Sequence, residues 1–130
     1  MNYSRQRDLI HNYLKSTKSH PTAEDVYQHV KEEIPNISLG TVYRNLGQLV
    51  DNNLAIKVHT DDGKDHFDAF TGEHYHFYCQ KCKKVYDSEI TIPESLKEAI
   101  VNKKELNINK VTGFSFLIQG MCNNCIKEGD

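Results

Sequence analysis

No stretch of this 130-residue chain stays apolar long enough to cross a bilayer, and its first residues, MNYSRQRDLIHNYL, lack the apolar core of a secretory signal. On sequence grounds these absences leave a soluble, cytoplasmic protein with no membrane partner as the expectation. There is no internal repeat, no low-complexity tract and no Gly/Ser linker. The length therefore fits one ordinary domain, or two small ones that lean on each other. A strong charge of either sign is also missing: the net charge is −2, which by itself names no partner. Its distribution says slightly more. Residues 1–60 carry seven Lys/Arg against six Asp/Glu, and residues 61–130 carry nine against twelve, so the N-terminal half leans weakly toward a polyanion.

What is present is enough for a modest core. Leu, Ile, Val and Phe make up a quarter of the residues, above the level at which charged chains stay disordered. Residues 5–17 predict a helix with Leu9, Ile10, Tyr13 and Leu14 on one stripe. His20-Pro21 breaks it. Thr22, with Asp25 three residues on, predicts an N-cap, and Val26, Val30 and Ile34 give the next buried face before Pro35-Asn36. Ser38 is the next N-cap candidate, followed by Val42, Leu46, Leu49 and Val50 up to Asp51-Asn52-Asn53. Three short helices with tight breaks suit a helix-turn-helix. The period then changes to two: Leu54, Ile56 and Val58 alternate with Ala55, Lys57 and His59, Asp61-Asp62-Gly63 turns, and 64–70 returns as a second strand.

A hairpin straight after a helix-turn-helix is a wing, so residues 1–70 are expected to form a winged-helix DNA-binding domain. Residues 71–130 predict strands at 75–79 and 84–90, a helix from Pro93 (read as its first residue) to about 106, and a strand at 111–118 with Phe114, Phe116 and Ile118 alternating. The fold class is α+β: a winged helix followed by a small α/β dimerisation domain. That second unit is too small to bury much core alone and calls for a staple or a partner chain. The join near 69–73 is short enough to act as a hinge.

The staple is in the cysteines. Cys79, Cys82, Cys122 and Cys125 form two C-x-x-C knuckles, and two knuckles complete a closed tetrahedral sulfur site that suits structural Zn2+. Free or redox-active thiols are the plainer alternative. A mixed site using His74 and His76 would orphan the second knuckle. Those two histidines alternate on a strand, so both rings share one face while Tyr75 points to the other. Two imidazoles with Asp68 and Asp87 nearby suit a second, harder metal site, against the plainer reading of exposed strand histidines. His11, His29, His59 and His66 are expected to be solvated or capping residues.

The stretches HPTAEDVYQHV, ISLGTVYRNL, HFDAFTGEHYHFYCQKCKKVYD and GMCNNC, in this order and spacing, resemble the ferric uptake regulator (Fur) family of metal-dependent bacterial repressors. The resemblance implies a homodimer that binds a double-stranded, AT-rich inverted-repeat operator when loaded with metal. It also implies regulatory ligands His20, Asp68, His74, His76 and Asp87 for one Fe2+ or Mn2+ per chain, beside one structural Zn2+ on the four cysteines. Iron-sensing members generally carry glutamates where Asp68 and Asp87 stand. The two aspartates are similar to the peroxide-sensing branch, in which iron-catalysed oxidation of a ligand histidine, here His20 or His74, releases the operator. TVYR in the third helix is more similar to the iron-sensing members. Most members also have a further helix before the segment matching YSRQR.

On the DNA side, Ser38, Thr41, Tyr43, Arg44 and Asn45 are expected on the polar face of the third helix, with Tyr43 and Arg44 toward base edges and Lys57 and Lys64 of the wing toward phosphates. A packed helix aromatic is the plainer reading of Tyr43. Two other function classes remain open on the sequence. One is an iron-responsive or other metal-sensing repressor without peroxide sensing. The other is a zinc enzyme using His74, His76, an aspartate and water, for which no catalytic base is evident. A metal-storage or interaction module would not need the helix-turn-helix.

Overall fold

The computed structural model describes residues 4–71, 74–103, 110–111 and 114–127. Three helices, α1 (Arg5–Ser16), α2 (Ala23–Val30) and α3 (Leu39–Asp51), precede the antiparallel hairpin β1 (Ile56–His59) and β2 (Asp65–Asp68). Each helix starts on a side-chain cap that satisfies an otherwise orphaned N–H. Ser4 accepts from Arg7 N–H, Thr22 and Asp25 form a reciprocal capping box, and Ser38 accepts from Thr41 N–H. The apolar stripes meet in one core: Ile10 and Leu14, Val26 and Val30, Val42, Leu46 and Leu49, closed by Ile34, Ile37 and Phe67. This is a winged helix.

Helix α3 ends at Asp51, at the break the sequence places there. Asn53 takes a left-handed conformation (φ 60°), its N–H donates to Val50 O at 3.1 Å, and Leu54 N–H donates to Leu49 O at 2.8 Å. That is a Schellman cap, with asparagine in the place glycine usually takes. It holds Leu54 outside β1 and leaves it exposed, while Ala55 turns into the core. The expected alternation from Leu54 is therefore corrected: the strand begins at Ile56. The wing turn depends on Gly63 (φ 83°), whose N–H donates to Thr60 O at 3.1 Å.

The second unit is a three-stranded sheet of order β4-β3-β5, from β3 (Tyr75–Cys79), β4 (Val85–Ser88) and β5 (Leu117–Gly120). The β3–β4 pair is antiparallel and the β3–β5 pair parallel. Between them lies α4 (Glu94–Val101), and α5 (Asn123–Lys127) follows β5. Pro93 is the N-cap of α4 and not its first helical residue, and it gives no side-chain cap bond. The helix ends at Val101, short of the expected 106, where 104–106 lie outside the described residues. The last strand is displaced toward the C-terminus. Phe114 and Phe116 precede it, and residues 112–113 of the expected strand are not described. The reason is register: pairing with His76 begins at Leu117 and runs to Gly120 opposite Cys79.

Candidate metal centres

The sulfur site is built from a turn and a helix start. The tight turn after β3 is held by Cys79 N–H to Lys84 O (3.0 Å) and Lys83 N–H to Cys79 O (2.9 Å), with Lys83 at φ 67°. It presents Cys79 and Cys82 together, while α5 brings Cys122 and Cys125 from the end of β5. All four Sγ atoms lie within 4.8 Å of one another. Cys79 Sγ–Cys125 Sγ is 3.5 Å and Cys82 Sγ–Cys122 Sγ is 3.9 Å. A disulfide needs about 2.05 Å, whereas bonds of about 2.3 Å at the tetrahedral angle put sulfurs about 3.8 Å apart. Zinc geometry fits.

The local donors fit as well. N–H groups of Cys82 (3.5 Å) and Cys122 (3.4 Å) point at Cys79 Sγ. The Cys82 N–H first, against burial, and then the Cys122 N–H draw the Cys79 thiol down to about 6. Burial first, then the neighbouring sulfurs, pushes Cys125 up to about 12. Thiolates packed this closely ionise together only around a cation.

The second cluster spans the two units. His20 lies between α1 and α2, Asp68 ends β2, His74 and His76 flank Tyr75 at the start of β3, and Asp87 sits on β4 directly across from His76. All three imidazoles aim Nε2 at the same two oxygens. Asp68 Oδ2 is 3.3 Å from His20, 3.0 Å from His74 and 3.5 Å from His76. Asp87 Oδ1 is 2.9, 3.3 and 3.5 Å from the same atoms in that order. Ligands bonded at about 2.1 Å to one ion lie roughly 3.0–3.6 Å apart at angles of 90–120°. The pattern is therefore that of neighbouring ligands. His76 Nε2 is buried, faces this point and has no hydrogen-bond partner, so the donor set is incomplete without something at its centre. Three neutral nitrogens and two carboxylates suit Fe2+ or Mn2+ better than a soft thiophilic ion.

The electrostatics follow from the same contacts. Burial would raise the Asp68 carboxyl, but the imidazoles of His20 and His76, the Phe70 N–H and the His74 imidazole outweigh it and hold the group well below the usual range. Burial tends to lower His20, yet the bonds to Asp68 and Asp87 win and its pKa is raised. Protons thus compete with a cation for the same nitrogens. The His20 backbone is also unusual: φ is 53°, a left-handed conformation costing about 1–3 kcal/mol for a residue other than glycine. A cavity of about 590 Å³ lined by Lys15, Thr17, Lys18, Phe70, His74, Asp68 and Asp87 opens on the cluster from outside. It reaches His74 and neither His20 nor His76.

Two expectations are corrected here. Asn45 is not on the polar face of α3. It is buried, and its side-chain N–H donates to Thr41 O at 2.8 Å, because it lies three residues after Val42 and four before Leu49, on the apolar stripe. His66 is not solvated: it is buried, with Nδ1 2.8 Å from His20 O. The strand's other face, which the sequence leaves to solvent, is covered by the Pro21–Thr22 segment. His29 is exposed and stacks on Tyr13 at 4.0 Å, and His59 pairs with Asp65 on the surface. Among the DNA-side residues Ser38, Arg44, Lys57 and Lys64 are exposed and Thr41 is half-buried. Tyr43 is 48% exposed with its hydroxyl donating to Glu24 at 2.8 Å, so it is not a packed aromatic.

The model of the ferric uptake regulator family matches residues 1–112. The chain belongs to the ferric uptake regulator family. It is 34% identical over 125 residues to the peroxide-responsive repressor PerR of Staphylococcus epidermidis, covering 96% of this chain and 81% of that one. Identity is 31% over 123 residues with the peroxide operon regulator of Bacillus subtilis, with 95% and 83% covered. Among solved structures, the Campylobacter jejuni peroxide stress regulator has a TM-score of 0.71 at 28% identity, covering 92% of this chain and 88% of that chain. The Helicobacter pylori ferric uptake regulator has a TM-score of 0.78 at 18% identity, with 100% and 85% covered, a likeness of fold. As a Fur-family protein the chain is a metal-dependent transcriptional regulator of a dimeric, DNA-binding type. Among the described residues no helix is long and apolar enough to cross a membrane.

Proposed function

We propose that this Fur-family protein is a peroxide-responsive repressor. It binds an inverted-repeat operator as a cytoplasmic homodimer while metal is held at His20, Asp68, His74, His76 and Asp87, and leaves when a ligand histidine is oxidised. One observation carries the reading: three imidazoles and two aspartates from both units converge on a single point. The units divide at residues 70/71. Cys79, Cys82, Cys122 and Cys125 hold one Zn2+ per chain and keep the second unit folded.

His20 and Asp68 belong to the winged helix, His74, His76 and Asp87 to the second unit. Holding all five together fixes the angle between DNA-reading and dimerising parts, and the fixed angle lets two recognition helices meet successive major grooves. Iron(II) at this site would supply a reductant for peroxide, which manganese(II) does not readily do. His74 faces the 590 Å³ cavity and is the imidazole most open to a small oxidant, while buried His20 is the second target. Loss of either nitrogen removes the link between the units.

Iron-loaded protein treated with dilute peroxide is expected to gain one oxygen atom on His74 or His20, lose its operator and keep its zinc; manganese-loaded protein is expected to resist. Peptide mass spectrometry beside a gel shift checks this. Oxygen found only on Cys79 or Cys82, with zinc lost, would replace the histidine sensor by a thiol switch. An iron-responsive repressor that ignores peroxide is the second reading, favoured by the TVYR stretch of α3. Iron-dependent binding with no oxidation of either histidine would select it. Fur-family relatives are regulators, and nothing in the donor sets calls for a zinc enzyme.

For the operator, Arg44 and Tyr43 on the outer face of α3 are proposed to reach base edges, beside Ser38 and Thr41, and Lys57 and Lys64 to reach phosphates. Arg44→Ala is expected to cost about 1–3 kcal/mol of discrimination between operator and mutated operator. Lys64→Ala should weaken all sequences alike and flatten the salt dependence. Unchanged specificity in Arg44→Ala would mean that another face of α3 enters the groove.

A further inference from the structure

Among the described residues, one buried histidine lies against the five-residue cluster without belonging to it. His66 places Nδ1 at 2.8 Å from the carbonyl oxygen of His20, while its Nε2 is buried with no hydrogen-bond partner. A carbonyl oxygen only accepts, so the proton of this bond sits on Nδ1. The other nitrogen is stranded. An apolar side chain of similar volume would fill this site without stranding a ring nitrogen, so packing does not account for a histidine here. The bond it donates does.

The receiving carbonyl belongs to the residue with the unusual backbone. His20 has a φ of 53° and precedes Pro21, and a residue before proline favours extended backbone. Two further contacts stitch the following segment to β2: Phe67 N–H donates to Pro21 O at 2.9 Å, and Thr22 makes an isolated bridge with His66. Those contacts hold Pro21 and Thr22. Among the described residues, only the His66 ring is hydrogen-bonded to the His20 peptide itself.

We propose that His66 is a positioning residue for the regulatory site, holding the His20 backbone in its left-handed conformation so that the His20 imidazole reaches Asp68 and Asp87. This rests on the reading of His20 as a metal ligand. Without the bond, His20 relaxes toward extended backbone and swings its imidazole out of the cluster. The remaining ligands then include just one, Asp68, from the winged helix, so the grip on the DNA-binding unit weakens along with the metal.

The test uses variants chosen by where they place a donor. An asparagine side chain puts its N–H₂ where a histidine puts Nδ1, glutamine carries the same group one carbon farther, and phenylalanine keeps a ring with no donor. Mn(II) affinity is measured on full-length, zinc-containing protein by titration calorimetry, beside zinc content and the melting temperature of the Mn-free form. His66→Phe is expected to bind Mn(II) about 10–100-fold more weakly, the range for residues that orient ligands from outside. His66→Asn should recover most of that loss, and His66→Gln should not. Wild-type affinity in His66→Phe would overturn the proposal, and so would Asn no better than Gln. If His66→Phe fails to hold zinc or to fold, the Asn and Gln pair decides the matter alone, since both carry the same amide. Should Asp68→Asn bind Mn(II) as well as wild type, the ligand assignment has failed and not the role of His66.

Discussion

Replacing Cys122 with serine is expected to strip the tightly held zinc from the protein and to unfold its second half while the winged helix survives. The asymmetry comes from where the core lies. The main cluster draws on residues between Ile10 and Phe67. Beyond it, the buried apolar residues among those described are Tyr75, Tyr78, Cys79, Val85 and Cys125, two of which belong to the four-sulfur cluster. Among its described residues α4 buries none. Five such side chains cannot offset the chain entropy of a β-β-α-β unit, at about 1–2 kcal/mol per ordered residue for the backbone. A four-sulfur zinc site contributes roughly 10–16 kcal/mol of apparent binding energy, and in small units that energy is folding energy. Cys122 also sits where β5 ends, so its loss frees the strand whose parallel pairing with β3 completes the sheet. Serine is nearly isosteric, but its hydroxyl stays protonated near neutral pH and is a poor zinc ligand. Zinc per chain by atomic emission, and thermal unfolding that shows a single smaller transition from the winged helix with the second unit's signal already lost at the start, check the result. A variant that keeps one zinc per chain with unchanged melting would show that the sulfurs hold no structural ion.

Much of this architecture is legible in the sequence because its signals are local. The stripe from Val42 through Leu46 to Leu49, the capping pair Thr22 and Asp25, and the two C-x-x-C knuckles each need only a few consecutive residues to declare themselves. The register of β5 does not. Nothing near Leu117 says that its partner is His76, because a parallel pairing is decided by the segment that crosses between the strands. His66 is hidden for a similar reason. Alternation assigns it to the face opposite Phe67, and only tertiary structure lays Pro21 and Thr22 over that face, so two adjacent residues of β2 are buried at once. Asn45 was accessible to sequence reasoning. Its spacing from Val42 and Leu49 places it on the buried stripe, and polarity alone misassigns it to the DNA-facing side. The aspartates were findable as carboxylates near an H-x-H pair, but their meeting with His20 across the two units is a property of the fold.

Asp68→Asn is expected to abolish Mn(II)-dependent DNA binding while leaving zinc and the dimer intact. Asp68 is the shared contact of the cluster: its Oδ2 lies within 3.5 Å of Nε2 of His20, His74 and His76. Its other oxygen accepts the Phe70 N–H at 2.9 Å, which fixes the carboxylate at the end of β2. Asparagine preserves shape and can keep the bond to Phe70, so the wing should fold as before. What it removes is a negative charge among three imidazoles at a half-buried point, and deleting one partner of such a set costs on the order of 3–5 kcal/mol. Moving a two-state protein from mostly open to mostly closed requires a preference of about 5.5 kcal/mol. Losing more than half of that preference leaves the DNA-binding units mostly free to reorient, since a bound ion shifts the balance only through its differential affinity for the closed form. Mn(II) affinity should therefore fall by at least about 100-fold. DNA binding at metal concentrations that saturate wild type should fall to the metal-free level. The measurement is fluorescence anisotropy with a duplex selected by Mn-loaded wild-type protein, beside zinc content and sedimentation velocity. Retained Mn(II)-dependent binding in Asp68→Asn would mean that the ion is held elsewhere and that the convergence on Asp68 is an ion-pair network of the metal-free fold. Loss of zinc in the same variant would instead mean that the two centres are not separable.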